Sequence, residues 1–131
     1  CIVEAGRREL AAVLDWELCT LGDPLADLGH LAVYWHDPAL PLPLTNDPTA
    51  AGGFPAFGDL AGRYARETGR DVANLGYYRA FAAWRLAVIA EGVAARHHEH
   101  HPGDTAALEA SQAAVAMLAQ FAMDSLRASH A

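Results

Sequence analysis

The stretch Val13-Leu14-Asp15-Trp16-Glu17-Leu18-Cys19-Thr20-Leu21-Gly22-Asp23-Pro24-Leu25-Ala26-Asp27-Leu28 decides how this chain is read. Two short, β-leaning apolar runs come before and into it, Cys1 to Glu4 and Glu9 to Asp15, joined by Ala5-Gly6-Arg7-Arg8. A glycine-containing connection of that length predicts a β-hairpin. The second strand then delivers Asp15 at its C-terminal end, where a side chain projects into a site instead of a sheet face. A carboxylate so placed is a candidate magnesium ligand, because magnesium takes one or two carboxylates together with waters and substrate phosphates. Capping of the following turn is the other reading of the same residue.

Downstream, Asp23-Pro24 predicts a helix start, with a carboxylate at the cap and proline at the first helical position. Leu25, Leu28, Leu31, Ala32 and Trp35 follow at helical spacing, so the helix is expected to run to about His36. Residues 37–57 hold five of the seven prolines and the pair Gly52-Gly53, which predicts a long loop. A shorter helix is expected from Gly58 to the stop at Gly69, with Leu60 and Tyr64 inward. A third is expected from near Asn74, its stripe of Tyr78, Phe81, Ala82, Leu86, Ile89 and Val93 buried. Pro102-Gly103 ends it. Asp104 or Thr105 caps a last helix carrying Leu108, Val115, Leu118, Phe121 and Leu126. The fold class is therefore α+β and mostly helical, a hairpin followed by about four helices.

Composition narrows the function classes. Nine arginines, no lysine and sixteen acidic residues leave a net charge of -7, which argues against nucleic-acid or anionic-membrane partners, since both need a basic surface. The longest apolar stretch, near Ala80 to Ala90, is interrupted by Arg85 and too short to span a bilayer. Cys1 and Cys19 make no disulfide framework, and no signal-peptide pattern opens the chain, so a cytoplasmic setting is expected. Because the first residue is cysteine, the chain is expected to begin inside a longer reading frame.

The string Leu14-Asp15-Trp16-Glu17, then Gly22-Asp23-Pro24, then Asp27-Leu28 resembles the hallmark of aminoglycoside phosphotransferases, choline kinases and their relatives. Arg63-Tyr64-Ala65 through Thr68-Gly69-Arg70-Asp71, and Tyr78-Arg79-Ala80-Phe81 through Arg85-Leu86, are similar to the branch of that family fused or adjacent to acyl-CoA dehydrogenases. The resemblance implies the C-lobe portion of a protein-kinase-like fold across residues 1–131: hairpin 1–15, motif loop and helix 16–36, proline-rich loop 37–57 and helical subdomain 58–131. It implies that Asp15 binds the Mg2+ bridging the phosphates of ATP, with Glu17 assisting the metal or holding the loop. Asp23 would cap the helix and Asp27 would hold the catalytic loop. Trp16 is expected to pack. The family's His-Gly-Asp stretch with its catalytic base, a metal-binding asparagine and a glycine-containing nucleotide loop are absent from these residues, so the chain alone is not expected to turn over. In the complete protein the partners would be a nucleotide and a small molecule bearing a hydroxyl.

Several other residues carry weaker signals. Arg85, set in the apolar stripe, reads either as an anion contact in an acceptor pocket or, the favoured reading, as a structural ion pair with an acid such as Asp27. Tyr34, Trp35, Tyr77, Tyr78 and Trp84 would line a substrate pocket or, more commonly for such spacing, a core. Cys19 is expected to be a small buried filler. His97-His98-Glu99-His100-His101 lacks the zinc-protease spacing and reads as a solvated helix end. Without cover over the hairpin, Ile2, Val3, Leu14 and Trp16 would be exposed beside an open strand edge, and a homodimer through that edge is expected.

Overall fold

The structure is a computed structural model that describes residues 1–7, 9–39 and 48–129. Strands β1 (Ile2–Val3) and β2 (Leu10–Ala12) pair antiparallel, with Ile2 opposite Ala12 and Val3 opposite Leu10 across an irregular register. Both are shorter than the sequence predicts, because pairing stops where the chain bends into the turn on one side and toward Asp15 on the other. Gly6 has φ +94°, a conformation that other residues adopt only under strain, and Glu4 closes the turn by donating its N–H to the Glu9 carbonyl at 2.9 Å.

Four α-helices follow among the described residues: α1 (Leu25–Val33), α2 (Phe57–Thr68), α3 (Leu75–His100) and α4 (Thr105–Ala128). The expected extension of α1 to His36 does not occur; Tyr34 caps it, and the chain turns so that His36 donates its N–H to Thr49 Oγ1 at 2.7 Å. Gly69 ends α2 at φ +70°, as its stop signal predicts. Asp104 starts α4 by accepting the Ala107 N–H on its side chain at 3.0 Å. Within 37–57 a short 3-10 turn forms at Pro48–Ala51; the loop's middle, 40–47, lies outside the described residues. The flanking parts of the loop settle against Trp35, whose Nε1–H donates to the Pro55 carbonyl at 3.0 Å while Phe54 and Phe57 pack on its ring.

The long helices α3 and α4 pack on each other along their length, and α1 packs on α3. The core is Val33, Ala82, Ala83 and Phe121, flanked by Leu86 and Ala122. Here the structure corrects the expected α3 stripe. Its buried residues are Ala80, Ala82, Ala83, Ala87 and Ala94, whereas Phe81, Ile89 and Val93 are exposed. The buried face is turned by about one residue, roughly 100°, from the one that large apolar side chains mark. Alanines line it because α1 and α4 both approach α3 closely, and only small side chains leave room for that. Gly29 makes the limit visible: a Cβ there would stand 2.5 Å from the Tyr78 carbonyl carbon.

Candidate functional site

The sequence reading puts Asp15 at the end of the second strand, but β2 stops at Ala12; Asp15 stands three residues beyond it, immediately before a 3-10 turn, Trp16–Leu18. Its backbone is left-handed, φ +71° and ψ +48°, the one non-glycine residue with positive φ among the described residues. Aspartate tolerates this region better than most residues, but it remains a locally unfavourable conformation, and such strain concentrates at functional sites. The side chain is exposed and makes no capping hydrogen bond, so the capping role left open by the sequence is not realised. Glu17, two residues on, is also exposed. Trp16 does not pack as expected; it is 63% exposed, and its Nε1–H donates to the Val13 carbonyl at 2.7 Å, which braces the bend. Cys19 is exposed, not a buried filler.

Asp23 is the structural node of the motif. Its Oδ1 accepts the Leu25 N–H at 2.9 Å, fixing the start of α1, and its Oδ2 accepts the hydroxyl of Tyr78 from α3. The Tyr78 bond first, and the Leu25 amide second, hold the Asp23 carboxyl below the usual carboxylate range; the same bond pushes the Tyr78 phenol up. Tyr78 is thereby engaged with Asp23 through the very group that would contact a substrate.

Beside this node lies an open cavity of about 350 Å³ lined by Cys19 to Pro24, Ala26, Asp27 and Arg85. Asp27 and Arg85 thus share a cavity, but no ion pair joins them among the described residues. The favoured reading of Arg85 is corrected: it is exposed, and its guanidinium lies 5.9 Å from the centroid of the Phe81 ring. Trp84 is on the same exposed face, where the rings of Tyr77, Phe81 and Trp84 follow one another at 6.5 and 5.9 Å. Tyr34, also expected in a pocket or core, is 43% exposed with its ring edge-on to His30.

Two residues given no role by the sequence reading belong to this neighbourhood. His30, one turn after Asp27 on α1, has its imidazole pushed below its ordinary value by burial and then by the nearby Arg85. Its position three residues after Asp27 was the available signal. Arg79 is a partly buried arginine of α3, with a side chain 13% exposed; its Nη1 meets Asp37 Oδ2 at 2.9 Å and its guanidinium lies over Phe121. Arg79 sits at i, i+3, i+4 and i+7 with Ala82, Ala83 and Leu86, so the true buried stripe would have singled it out in place of Arg85. At the far turn, His97 Nε2 lies 3.2 Å from Asp104 Oδ2, and no group of three or more metal-binding side chains forms among the described residues.

Residues 2–66 match the model of the phosphotransferase enzyme family, and that segment contains the hairpin, Asp15 and the whole Asp23 motif. This part of the chain belongs to the phosphotransferase enzyme family. Curated relatives include acyl-CoA dehydrogenase family member 11 of Rattus norvegicus, 38% identical over 91 residues covering 66% of this chain and 12% of that protein. The Homo sapiens protein of the same name is 34% identical over 90 residues, 66% of this chain and 11% of its own length. Acyl-CoA dehydrogenase family member 10 of Mus musculus is 33% identical over 91 residues, 66% of this chain and 8% of its own. The chain therefore spans only about an eighth of the length of the first of these relatives. No solved structure matches. No helix among the described residues is long and apolar enough to cross a membrane.

Proposed function

We propose that this chain is the C-lobe portion of an ATP-dependent phosphotransferase that phosphorylates a hydroxyl on a small molecule. The observation that carries the reading is Asp15: an exposed carboxylate, free of a capping bond and held left-handed just beyond a family-matched hairpin, seven residues before a capped Gly22-Asp23-Pro24 turn. Such a carboxylate fits Mg2+ as one ligand, with Glu17 near in sequence, because magnesium draws the rest of its shell from water and phosphate oxygens. Bound there, the metal would neutralise charge on the transferred phosphate. Asp27 faces the cavity from which it would hold a catalytic loop supplied by other residues of the complete protein.

Hydroxyacyl compounds are the acceptors to test first, on the branch resemblance, and cationic alcohols second, on the chain's acidic balance. A longer polypeptide that adds a His-Gly-Asp segment and a nucleotide lobe should transfer the terminal phosphate of ATP to such an acceptor, and this 131-residue chain alone should not. The isolated chain lacks the groups that position the phosphates and accept the hydroxyl proton. Acceptor-dependent ADP release by the pure isolated chain would overturn the second expectation. No transfer by the complete polypeptide would favour the alternative, a non-catalytic helical binding module, for which the exposed Tyr77, Phe81, Trp84 and Val88 on α3 would serve as surface.

The reading also predicts self-association of the isolated chain. Ile2, Val3, Leu10, Val13, Leu14 and Trp16 are exposed on or beside a two-stranded hairpin, whose outer edges carry unpaired backbone groups. A two-fold dimer through that edge closes without forming fibres. Sedimentation at micromolar concentration should give about twice the chain mass of 13.9 kDa, and a clean monomer would rule the contact out.

A further inference from the structure

The limb that carries Asp15 has little of its own to hold it in place. Among the described residues, extensive packing joins α3 to α4, α1 to α3 and β1 to β2, and no packing of that extent joins the hairpin to the helices. From Asp15 the chain runs through one 3-10 turn and four further residues before it reaches Asp23, where the helical body begins. The internal bonds of that limb are local: Trp16 Nε1–H to the Val13 carbonyl, and the Cys19 N–H to the Trp16 carbonyl at 3.0 Å. Among the described residues, the side-chain hydrogen bond that fixes to α3 the point where this limb joins the helical body is the one between Asp23 and Tyr78.

Tyr78 is itself held from two sides. Its ring edge meets Tyr77, and its backbone lies against Gly29 so closely that even a Cβ there would collide with it. The same residue therefore meets α1 twice, with its backbone at Gly29 and with its hydroxyl at the cap. A carboxylate acceptor makes that hydroxyl bond stronger than a neutral one, and sharing Asp23 between the Tyr78 hydroxyl and the Leu25 amide fixes both the cap and its orientation on α3.

We propose that Tyr78 is a positioning residue for the metal limb: by holding Asp23 it sets where the Asp15 carboxylate stands relative to the helical body. The inference rests on the phosphotransferase reading above and goes beyond it. Tyr78 does not touch the metal or the acceptor; its effect passes through Asp23.

The test is Mn2+ binding to the complete polypeptide in the presence of ADP, read by electron paramagnetic resonance of the free ion. Asp15→Asn should abolish the site. Tyr78→Phe removes one oxygen and should weaken Mn2+ binding about tenfold, the equivalent of one charge-assisted hydrogen bond coupled to the site. Asp23→Asn should weaken it similarly, and Ile89→Ala, which trims an exposed side chain elsewhere on α3, should leave it unchanged. In turnover, Tyr78→Phe should raise KM for Mg·ATP and leave KM for the acceptor alone. Loss of binding in Asp15→Asn with wild-type affinity in Tyr78→Phe would overturn the positioning role and leave the phosphotransferase reading standing. Equal weakening by Ile89→Ala would also overturn it, as a general effect of the α3 surface. Wild-type Mn2+ affinity in Asp15→Asn would remove the metal assignment itself, and the positioning role with it.

Discussion

In a longer polypeptide that transfers phosphate as proposed, Asp15→Asn is expected to lower the transfer by at least about 10²–10³-fold, the scale seen when one preorganised charge-stabilising group is removed from an active site. The substitution deletes the charge proposed to bind the metal, at nearly constant shape. It is the right replacement for a backbone reason as well: asparagine tolerates the left-handed conformation that Asp15 adopts, so the bend at the end of β2 is kept. Because the carboxylate is exposed and makes no capping bond, stability should stay within about 0.5 kcal/mol of wild type. Urea unfolding alongside the kinetic assay separates the two effects. Near-normal turnover in a folded Asp15→Asn protein would show that the metal sits elsewhere.

The second large effect is structural, at Gly29. Alanine normally stabilises an exposed helix interior by about 1 kcal/mol over glycine. At Gly29 the sign should reverse, because the new Cβ would lie 2.5 Å from the Tyr78 carbonyl carbon and 2.7 Å from its oxygen, and those are backbone atoms that cannot rotate away. Overpacking of this kind costs roughly 1–3 kcal/mol, so Gly29→Ala should lose stability on that scale and Gly29→Val should lose more. Gly58 on α2 supplies the contrast, since a Cβ there meets nothing within 4 Å and Gly58→Ala should be neutral or stabilising. Denaturant midpoints of the three variants decide the matter: a Gly29→Ala protein as stable as wild type would mean that α1 and α3 do not approach as described. The variants also bear on the site, because forcing α1 away from Tyr78 would pull Asp23 from its partner hydroxyl.

These two residues show how differently the sequence speaks about chemistry and about packing. Asp23 and the helix start beside Pro24 are legible because each depends on neighbours in the chain: a cap two residues before the amide it bonds, a proline where no amide is needed. The stop at Gly69, the cap at Asp104 and the order of hairpin and helices are local in the same way. The face of α3 is not local. Large apolar residues pointed to Phe81, Ile89 and Val93, yet these are exposed. Two helices flank α3 at close range, and close range selects alanine.

By itself, then, the sequence determined the element order, the caps and the motif that assigns the matched segment to its family, since all of these are set by residue type at short spacing. Only the tertiary structure decided which arginine turns inward, because Arg79 and Arg85 differ by their angle around one helix axis and the inward angle is fixed by where α1 and α4 dock. It likewise decided that Tyr78, 55 residues away in the chain, completes the cap at Asp23. A hydrogen bond across that separation exists only once Gly29 has let the two helices meet.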